Sequence, residues 1–334
     1  MIIHKFITHV LNKDMDEPVL NDFEGKVSPV VDKFLQQSIK KVKKDDFLRK
    51  AKFKDYDENL IKNLCDEIIY NEKSFVESSK EIASFLFDTM KCNLGIDSGD
   101  LVVCLFTEKD QKYVAIVKLD YKKVYNHSIE YEDDKFNIQI KQNEIGIAET
   151  FKPRQAAIVG VNGINDEYDL LVIDAEAEKK RDKSSFIDLF IKGEKVIDDT
   201  YKTARFIGAT VGYINNVFDS LSEKHETFNL FTYMMLNTSA VSINDIADKL
   251  FKDTEVKNGF IKYLEKNNIT NFNIDKRIAT KRLNKIELST LGFKFRVKLE
   301  DLNNEKLLKV VEREDGKYDL VLKDVGCMGM GICN

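Results

Sequence analysis

The stretch DKSSFIDLFIKGEKVIDDTYKTARFIGATVGYINNVFDSLSEK, residues 182–224, separates a strand-rich first half of the chain from a second half in which helices precede strands. From Ile197 onward its apolar residues recur every three or four positions, which is the period of an amphipathic helix. Gly208 and Gly212 interrupt this stripe, although each glycine weakens a helix by roughly 1 kcal/mol relative to alanine. The sequence therefore predicts a long central helix that packs closely at these two glycines.

Strand patterns dominate the residues before this helix. Residues 2–10 read as an opening strand, and continuous apolar runs from Leu101 and Tyr113, separated by a polar turn, indicate a buried hairpin. Further strands are predicted at residues 136–140, 156–161 and 168–174. After the central helix, strand patterns occupy residues 285–289, 293–299, 307–312 and 318–322.

Helix signals occur on both sides of the central helix. Ser28 and Pro29 are a cap and a first-turn residue, while Ser74 and Glu77 have the spacing of a capping box. Three shorter helices are predicted at residues 227–236, 243–251 and 256–266. These patterns define an α+β fold. We predict an antiparallel sheet domain over residues 1–180. Residues 181–334 are predicted to contain the long central helix that joins the halves, followed by a helical segment and a β-meander.

The composition describes an ordinary globular protein. Of 334 residues, 43% are hydrophobic and 33% are charged, and the formal net charge is −5. No apolar run approaches the roughly 20 residues that span a bilayer, and the N-terminus has no secretory signal pattern. The five cysteines are odd in number. We therefore expect a cytoplasmic protein with reduced thiols and no membrane contact.

The net charge conceals an asymmetry between the halves. Residues 1–180 have a balance of −7, whereas residues 273–298 hold eight basic and two acidic residues. In a strand, the alternation of Lys294, Arg296 and Lys298 with apolar residues places the cations on one face. This face and the basic turn before it are the predicted nucleic-acid-binding site, and the alternative is a half-buried strand with a solvated outer face. The eight candidate residues are Lys276, Arg277, Lys281, Arg282, Lys285, Lys294, Arg296 and Lys298.

Two other segments are weaker candidates for binding nucleic acid. Residues 40–54 are locally basic, although such a run is more often a solvated helix end or loop. Residues 242–266 have the pattern of a helix-turn-helix, but Glu255 at the start of the second helix is unfavourable beside most base edges. An ordinary helical pair explains this second segment as well.

Motifs for catalysis are weak. The four histidines lack metal-ligand spacing, and no phosphate-binding glycine loop is present. Asp169, Asp174 and Glu178 resemble the acids of a magnesium-dependent nuclease, but they also fit a charged loop at a sheet edge. Cys327 and Cys333 offer sulfur ligands for Cu(I), or lie in a mobile tail. We expect no catalysis, no metal and no cofactor.

Several of these stretches, in this order, resemble the bacterial nucleoid-associated protein family of the NdpA type. They are IIHKFITHVLN, DTMKCNLGIDSGDLVVCLF with KYVAIVKLDY, YDLLVID, the central SSFIDLFI and ARFIGATVGYINNVFD, and the final LGFKFRVKLEDLNNEKLLKVVEREDGKYDLVLK. The resemblance implies a cytoplasmic, nucleoid-located protein that binds double-stranded DNA with little sequence preference and without established catalysis. It supplies no binding residues, so the eight basic positions rest on charge and spacing.

The sequence thus favours a nucleoid-associated protein that contacts DNA phosphates through residues 273–298. One alternative is an adaptor that reaches DNA through another nucleoid or topology-managing protein, and a further alternative is the metal-dependent nuclease. The central helix is expected to act as a scaffold. It either docks the two halves or pairs with its own copy in a homodimer through Gly208 and Gly212.

Overall fold

A computed structural model describes residues 1–93, 95–121, 124–132, 135–143, 152–160, 164, 167–180, 182–289, 294–298, 308–312 and 318–322. The chain divides into two compact units, Met1–Val196 and Ile197–Asn334. The sequence places the boundary at residues 180 and 181. Residues 182–196 accordingly belong with the first unit.

The first unit is built on an antiparallel sheet. Its strands are β1 (Ile2–Leu11), β2 (Arg49–Phe53), β3 (Gly99–Glu108), β4 (Gln111–Asp120), β5 (Val124–Glu132), β6 (Lys135–Asn143), β7 (Gln155–Gly160), β8 (Leu170–Asp174) and β9 (Gly193–Lys195). Seven strands form one sheet in the order β1-β3-β4-β7-β8-β2-β9. Strands β5 and β6 form a separate two-stranded ribbon.

Helices cover both faces of this sheet. They are α1 (Pro29–Lys43), α2 (Leu60–Tyr70), α3 (Phe75–Cys92) and α4 (Ala175–Lys180), with a π-helical turn at Phe186–Ile191. Along β3, Val103 and Leu105 pack into the core formed with α2 and α3, whereas Val102 and Cys104 pack into the core formed with α1. Burial on both faces explains the continuous apolar runs of the central strands.

The structure corrects one local prediction for the first unit in full and another in part. Ser74 has helical backbone angles and its hydroxyl donates to the Asn71 carbonyl oxygen at 2.8 Å, so it does not cap α3. The basic residues 40–54 are a helix end only as far as Lys43, where α1 ends, and Arg49–Phe53 form the internal strand β2 between β8 and β9. Ala51 and Phe53 are the buried hydrophobic residues of that strand, and Arg49 is buried as well.

The second unit combines helices with short strand pairs. Its helices are α5 (Asp199–Val217), α6 (Leu221–Asn237), α7 (Ile243–Leu250), α8 (Thr254–Lys266) and α9 (Lys276–Leu283). Its strands are β10 (Ala240–Val241), β11 (Phe272–Asn273), β12 (Lys285–Ser289), β13 (Lys294–Lys298), β14 (Leu308–Glu312) and β15 (Tyr318–Leu322). They pair as β10-β11, β12-β13 and β14-β15, all antiparallel. The α+β class is confirmed.

The central helix is shorter than the sequence predicts. Its stripe of apolar residues runs on, but α5 ends at Val217, Phe218 is extended, and the hydroxyl of Ser220 caps a new helix, α6. The stretch before α5 contains the π-helical turn and β9. Both features belong to the first unit.

The prediction that another part of the chain packs closely against Gly208 is also wrong. A Cβ added there would meet no atom of the structure within 4 Å, and one added at Gly212 would first meet the Tyr263 hydroxyl at 4.0 Å. The close approach comes from the neighbouring helix, because a Cβ at Gly259 in α8 would lie 2.6 Å from the hydroxyl oxygen of Tyr213. Pairing of α5 with a second copy stays a prediction.

Candidate nucleic-acid interface

Helix α9 begins at an anchored cap. The Asp275 carboxylate accepts the amide of Ile278 at 3.2 Å and the hydroxyl of Thr200 on α5 at 2.7 Å, while its own amide donates to the Thr203 hydroxyl at 3.0 Å. Burial alone would raise the pKa of Asp275, but the hydrogen bonds from Thr200 and Ile278 and the charge of Arg277 lower it overall. The carboxylate therefore stays ionised and holds α9 against α5.

The buried side of α9 is narrow. Ala279 and Leu283 are fully buried in the core of the second unit, and the helix has no acidic residue in its first turn. The sequence predicts a basic turn at these residues, and the structure corrects this prediction, because they form a helix. With only two buried positions, the other faces of α9 are left to its four basic residues.

Lys276 has a structural role. Its ammonium donates to the carbonyl oxygens of Met235 at 3.1 Å and Leu236 at 2.8 Å, and also to that of Thr238. These carbonyls terminate α6, where a helix leaves its last acceptors without intrahelical donors. Lys276 is exposed, but its ammonium is hydrogen-bonded to these carbonyl oxygens, and it therefore closes the end of α6.

Three other cations of α9 are exposed. Arg277 is 77% exposed, with one guanidinium nitrogen 3.8 Å from Asp275, and Lys281 follows one turn later on the same side of the helix. Arg282 is exposed on the flank, where its guanidinium lies 3.5 Å from the carbonyl oxygen of Ala204. Lys281 and Arg282 also suit the negative end of the helix dipole. Together, Arg277, Lys281 and Arg282 form what we call the α9 surface.

Strands β12 and β13 follow directly after α9. Their register places Lys285 opposite Lys298, Glu287 opposite Arg296 and Ser289 opposite Lys294. These pairs contain four of the candidate cations and one acid, and the predicted strand assignment for this segment is confirmed.

The basic segment at residues 40–54 offers its charge mainly to acids of its own unit. Lys43 pairs with Glu108, Arg49 lies 3.3 Å from the Glu178 carboxylate, and Lys50 lies 3.9 Å from Glu167. These ion pairs neutralise much of the local charge. The segment is a weaker candidate than the α9 surface.

Helices α7 and α8 form a packed pair whose second helix starts with acids. The Asp253 carboxylate caps α8 by accepting the amides of Glu255 and Val256, and Lys257 pairs with Asp248 at 2.9 Å. Two carboxylates at the start of α8 would repel a phosphate backbone. The geometry favours the ordinary helical pair.

The acids of the nuclease hypothesis are bound to protein donors. Asp174 is buried and accepts from Gln155 at 3.0 Å and from the Ser184 hydroxyl at 2.7 Å. Glu178 contacts Arg49 and, at 2.8 Å, Lys195. These contacts hold together β7, β8 and the chain before α5, and they give the nuclease hypothesis no support.

Two further predictions concern metals and membranes. Within the described residues, no group of three or more histidine, cysteine, aspartate or glutamate side chains is placed to hold a metal ion. Cys327 and Cys333 lie outside those residues. Among the helices that the structure describes, none has the length and apolar character needed to cross a bilayer.

The fold and this surface define a two-unit α+β protein that concentrates positive charge on one short helix and the strand pair after it. The family model described as "Nucleoid-associated protein YejK" matches residues 7–326, so the chain belongs to this family. Family membership implies association with the nucleoid and its DNA. No curated protein matches the chain.

Proposed function

We propose that this protein binds double-stranded DNA with little sequence preference, through phosphate contacts from the α9 surface and the cations of β12 and β13. The supporting observation is the run of residues 276–286, which contains five basic residues and no acid. Four of the five lie on α9, and all four are exposed. Lysine and arginine contact phosphates irrespective of sequence, because the backbone is the same at every base pair.

Because the chain as a whole is negatively charged, contact with DNA is limited to its basic segment. A protein with a formal charge of −5 does not attract DNA over its whole surface. Contact is therefore confined to the cationic segment, and the acidic residues elsewhere keep the rest of the chain from the phosphates. Up to seven cations contribute, which gives a salt dependence with a logarithmic slope no steeper than about −6.

The test is equilibrium binding of the full chain to duplex DNA, single-stranded DNA and RNA of equal length, each at several salt concentrations. We expect duplexes of unrelated sequence to bind within about tenfold of one another, since sequence-specific proteins separate them by roughly 10³ or more. Affinity should fall steadily with salt. If one duplex bound roughly 10³-fold more tightly than duplexes of unrelated sequence, the proposal would be contradicted. An affinity that did not change with salt would contradict it as well.

An adaptor that reaches DNA through a nucleoid or topology-managing protein is the second candidate. The observation favouring it is the balance of −7 over residues 1–180, which suits a basic protein partner better than DNA. The same titration separates the two candidates. If the pure protein does not bind duplex DNA at low salt, the adaptor is the better account.

A further inference from the structure

The β5-β6 ribbon has one apolar face that is open to solvent. It leaves the sheet after β4 and returns at β7, two strands that are neighbours in that sheet. The register pairs Ile129 with Ile138 and Tyr131 with Phe136, and opposed residues share a face. Six large apolar residues of this face are each between 57% and 79% exposed. They are Tyr125, Ile129, Tyr131, Phe136, Ile138 and Ile140, which we call the ribbon face.

The other face of the ribbon is polar. It carries an ion pair in which the Lys141 ammonium lies 3.0 Å from the Glu130 carboxylate, and it also holds the exposed residues Lys135, Asn137 and Gln139. A two-stranded ribbon in water is only marginally stable when no other element covers it. Among the described side chains of the ribbon, only His127 departs from a division into one apolar and one polar face, and this division indicates that the ribbon face is covered in the working protein.

We propose that the ribbon face is a homodimer interface, in which two copies of the chain stack their ribbons face to face. Six large apolar residues, each more than half exposed, present on the order of 700 Å² per copy. Two such faces would bury about 1,400 Å², which lies within the range of stable, specific interfaces. The ribbon alone is therefore large enough to hold a dimer together.

The chemistry of the face also favours a second copy over other occupants. None of the six residues of the ribbon face is charged, and His127, opposite Ile140, shares the face with them, so two identical faces meet without repulsion between carboxylates or between lysines and arginines. The same lack of cations makes the face unsuitable for DNA phosphates. A basic or acidic protein partner would likewise find no opposite charge there.

A dimer of this kind affects DNA binding without changing either binding surface. Each dimer carries two α9 surfaces, so binding of the first to a duplex raises the effective concentration of the second. This inference does not depend on the proposed function, because the ribbon face and the α9 surface lie in different units.

The test is the oligomeric state of the full chain in solution, measured by sedimentation equilibrium across micromolar concentrations. We expect the wild type to have twice the 38.6 kDa mass of one chain. Ile138→Glu places a charge near the middle of the ribbon face and should weaken dimerisation by at least about 100-fold. Ile138 is 65% exposed in the single chain, so the substitution leaves the fold intact. Circular dichroism checks that the Ile138→Glu variant is folded. If it misfolds, Ile140→Lys repeats the test at a position that is 79% exposed.

Two controls make the outcome specific. Gln139→Glu adds the same charge at the next residue, on the opposite face, and should leave the dimer unchanged. Gly208→Leu would disrupt a dimer that paired through α5 and should also leave it unchanged. A monomeric wild type, an Ile138→Glu variant that still dimerises, or a dimer lost only in Gly208→Leu would each overturn the proposal.

Discussion

The ammonium of Lys276 lies 2.8 Å from the carbonyl oxygen of Leu236, so the first basic residue of α9 is bonded to the last turn of α6. This contact divides the basic window into two kinds of cation. Lys276 satisfies helix carbonyls, whereas Arg277, one position later, is 77% exposed. Adjacent residues of the same charge therefore have different expected roles, and single substitutions can separate them.

Lys276→Ala should destabilise the second unit by about 1 kcal/mol, because the carbonyl oxygens at the end of α6 lose a charged donor. Arg277→Ala should change stability by less than about 0.5 kcal/mol, as is usual for exposed positions. Urea unfolding of both variants measures the difference. Equal unfolding midpoints for Lys276→Ala and the wild type would show that the contact with α6 contributes nothing.

Two glycines of the second unit should respond in opposite ways to alanine. At Gly259 the added Cβ would lie 2.6 Å from the Tyr213 hydroxyl, which cannot move easily because it also donates to the Val256 carbonyl oxygen at 2.7 Å. We expect a loss of roughly 1–3 kcal/mol from overpacking. At Gly208 the Cβ meets open space, so alanine should stabilise α5 by up to about 1 kcal/mol.

Thermal unfolding of the two alanine variants, side by side, decides this point. We expect a lower midpoint for Gly259→Ala than for the wild type, and an equal or higher midpoint for Gly208→Ala. The reverse order would mean that the close approach is at α5, as the sequence pattern suggests.

Glu178 should prove to be a stability residue. Its carboxylate lies between Arg49 and Lys195, and both Glu178 and Arg49 are largely buried. Glu178→Gln removes the charge but not the shape, and should cost about 2–4 kcal/mol because Arg49 is left buried without its counter-ion. The matched control is Glu176→Gln, which breaks a half-exposed pair with Arg154 and should cost less than about 1 kcal/mol. Similar losses in urea unfolding would contradict this assignment.

His9 should make the first unit sensitive to mild acid. Burial, with a smaller contribution from the charge of Lys80, lowers the pKa of His9 to about 4. Its Nδ1 accepts the amide of Asn21 at 3.1 Å, and its Nε2 lies 3.1 Å from the hydroxyl of Ser79, which itself donates to the Val76 carbonyl oxygen. The ring is therefore neutral with its proton on Nε2, and protonation of Nδ1 would break the bond from Asn21.

The sign of this effect follows from the two pKa values. The unfolded chain takes up a proton near pH 6.5, whereas the folded chain does so only near pH 4. The contribution of His9 to the free energy of unfolding has its full value above pH 6.5 and is lost as the pH falls towards 4. At pH 5 the loss is roughly 1–2 kcal/mol. His9→Gln should lose less stability between pH 7 and pH 5 than the wild type in urea unfolding. Equal losses would show that His9 does not titrate in this way.

Much of the fold could be predicted because the decisive signals are local. The runs from Leu101 and Tyr113 mark strands because both faces of the sheet are buried, and Ser28 accepts the amide of Val31 as its pattern predicts. The sequence pattern does not reveal the break after Val217, because the apolar stripe continues across it. Ser220 followed three residues later by Glu223 was the available signal for a new helix.

The rest depended on contacts that are distant in sequence. The sequence pattern does not indicate helix α9, because only Ala279 and Leu283 are buried in it and its start is fixed by Thr200 and Thr203, more than 70 positions earlier. The candidate cations could be found from charge and spacing alone. The structural role of Lys276 could not, because its acceptors lie at the end of a different helix.

The most direct test of the central claim is the salt dependence of duplex DNA binding for the Arg277→Ala, Lys281→Ala, Arg282→Ala triple variant. Each phosphate contact contributes about −0.9 to the logarithmic slope, so the slope should flatten by roughly 2–3 and affinity should fall for every sequence alike. The matched control is Lys249→Ala, Lys252→Ala, Lys262→Ala, three exposed lysines of the same unit, which removes equal charge and should leave the slope nearly unchanged. An unaltered slope in a folded α9 variant, or equal flattening in both variants, would contradict the account.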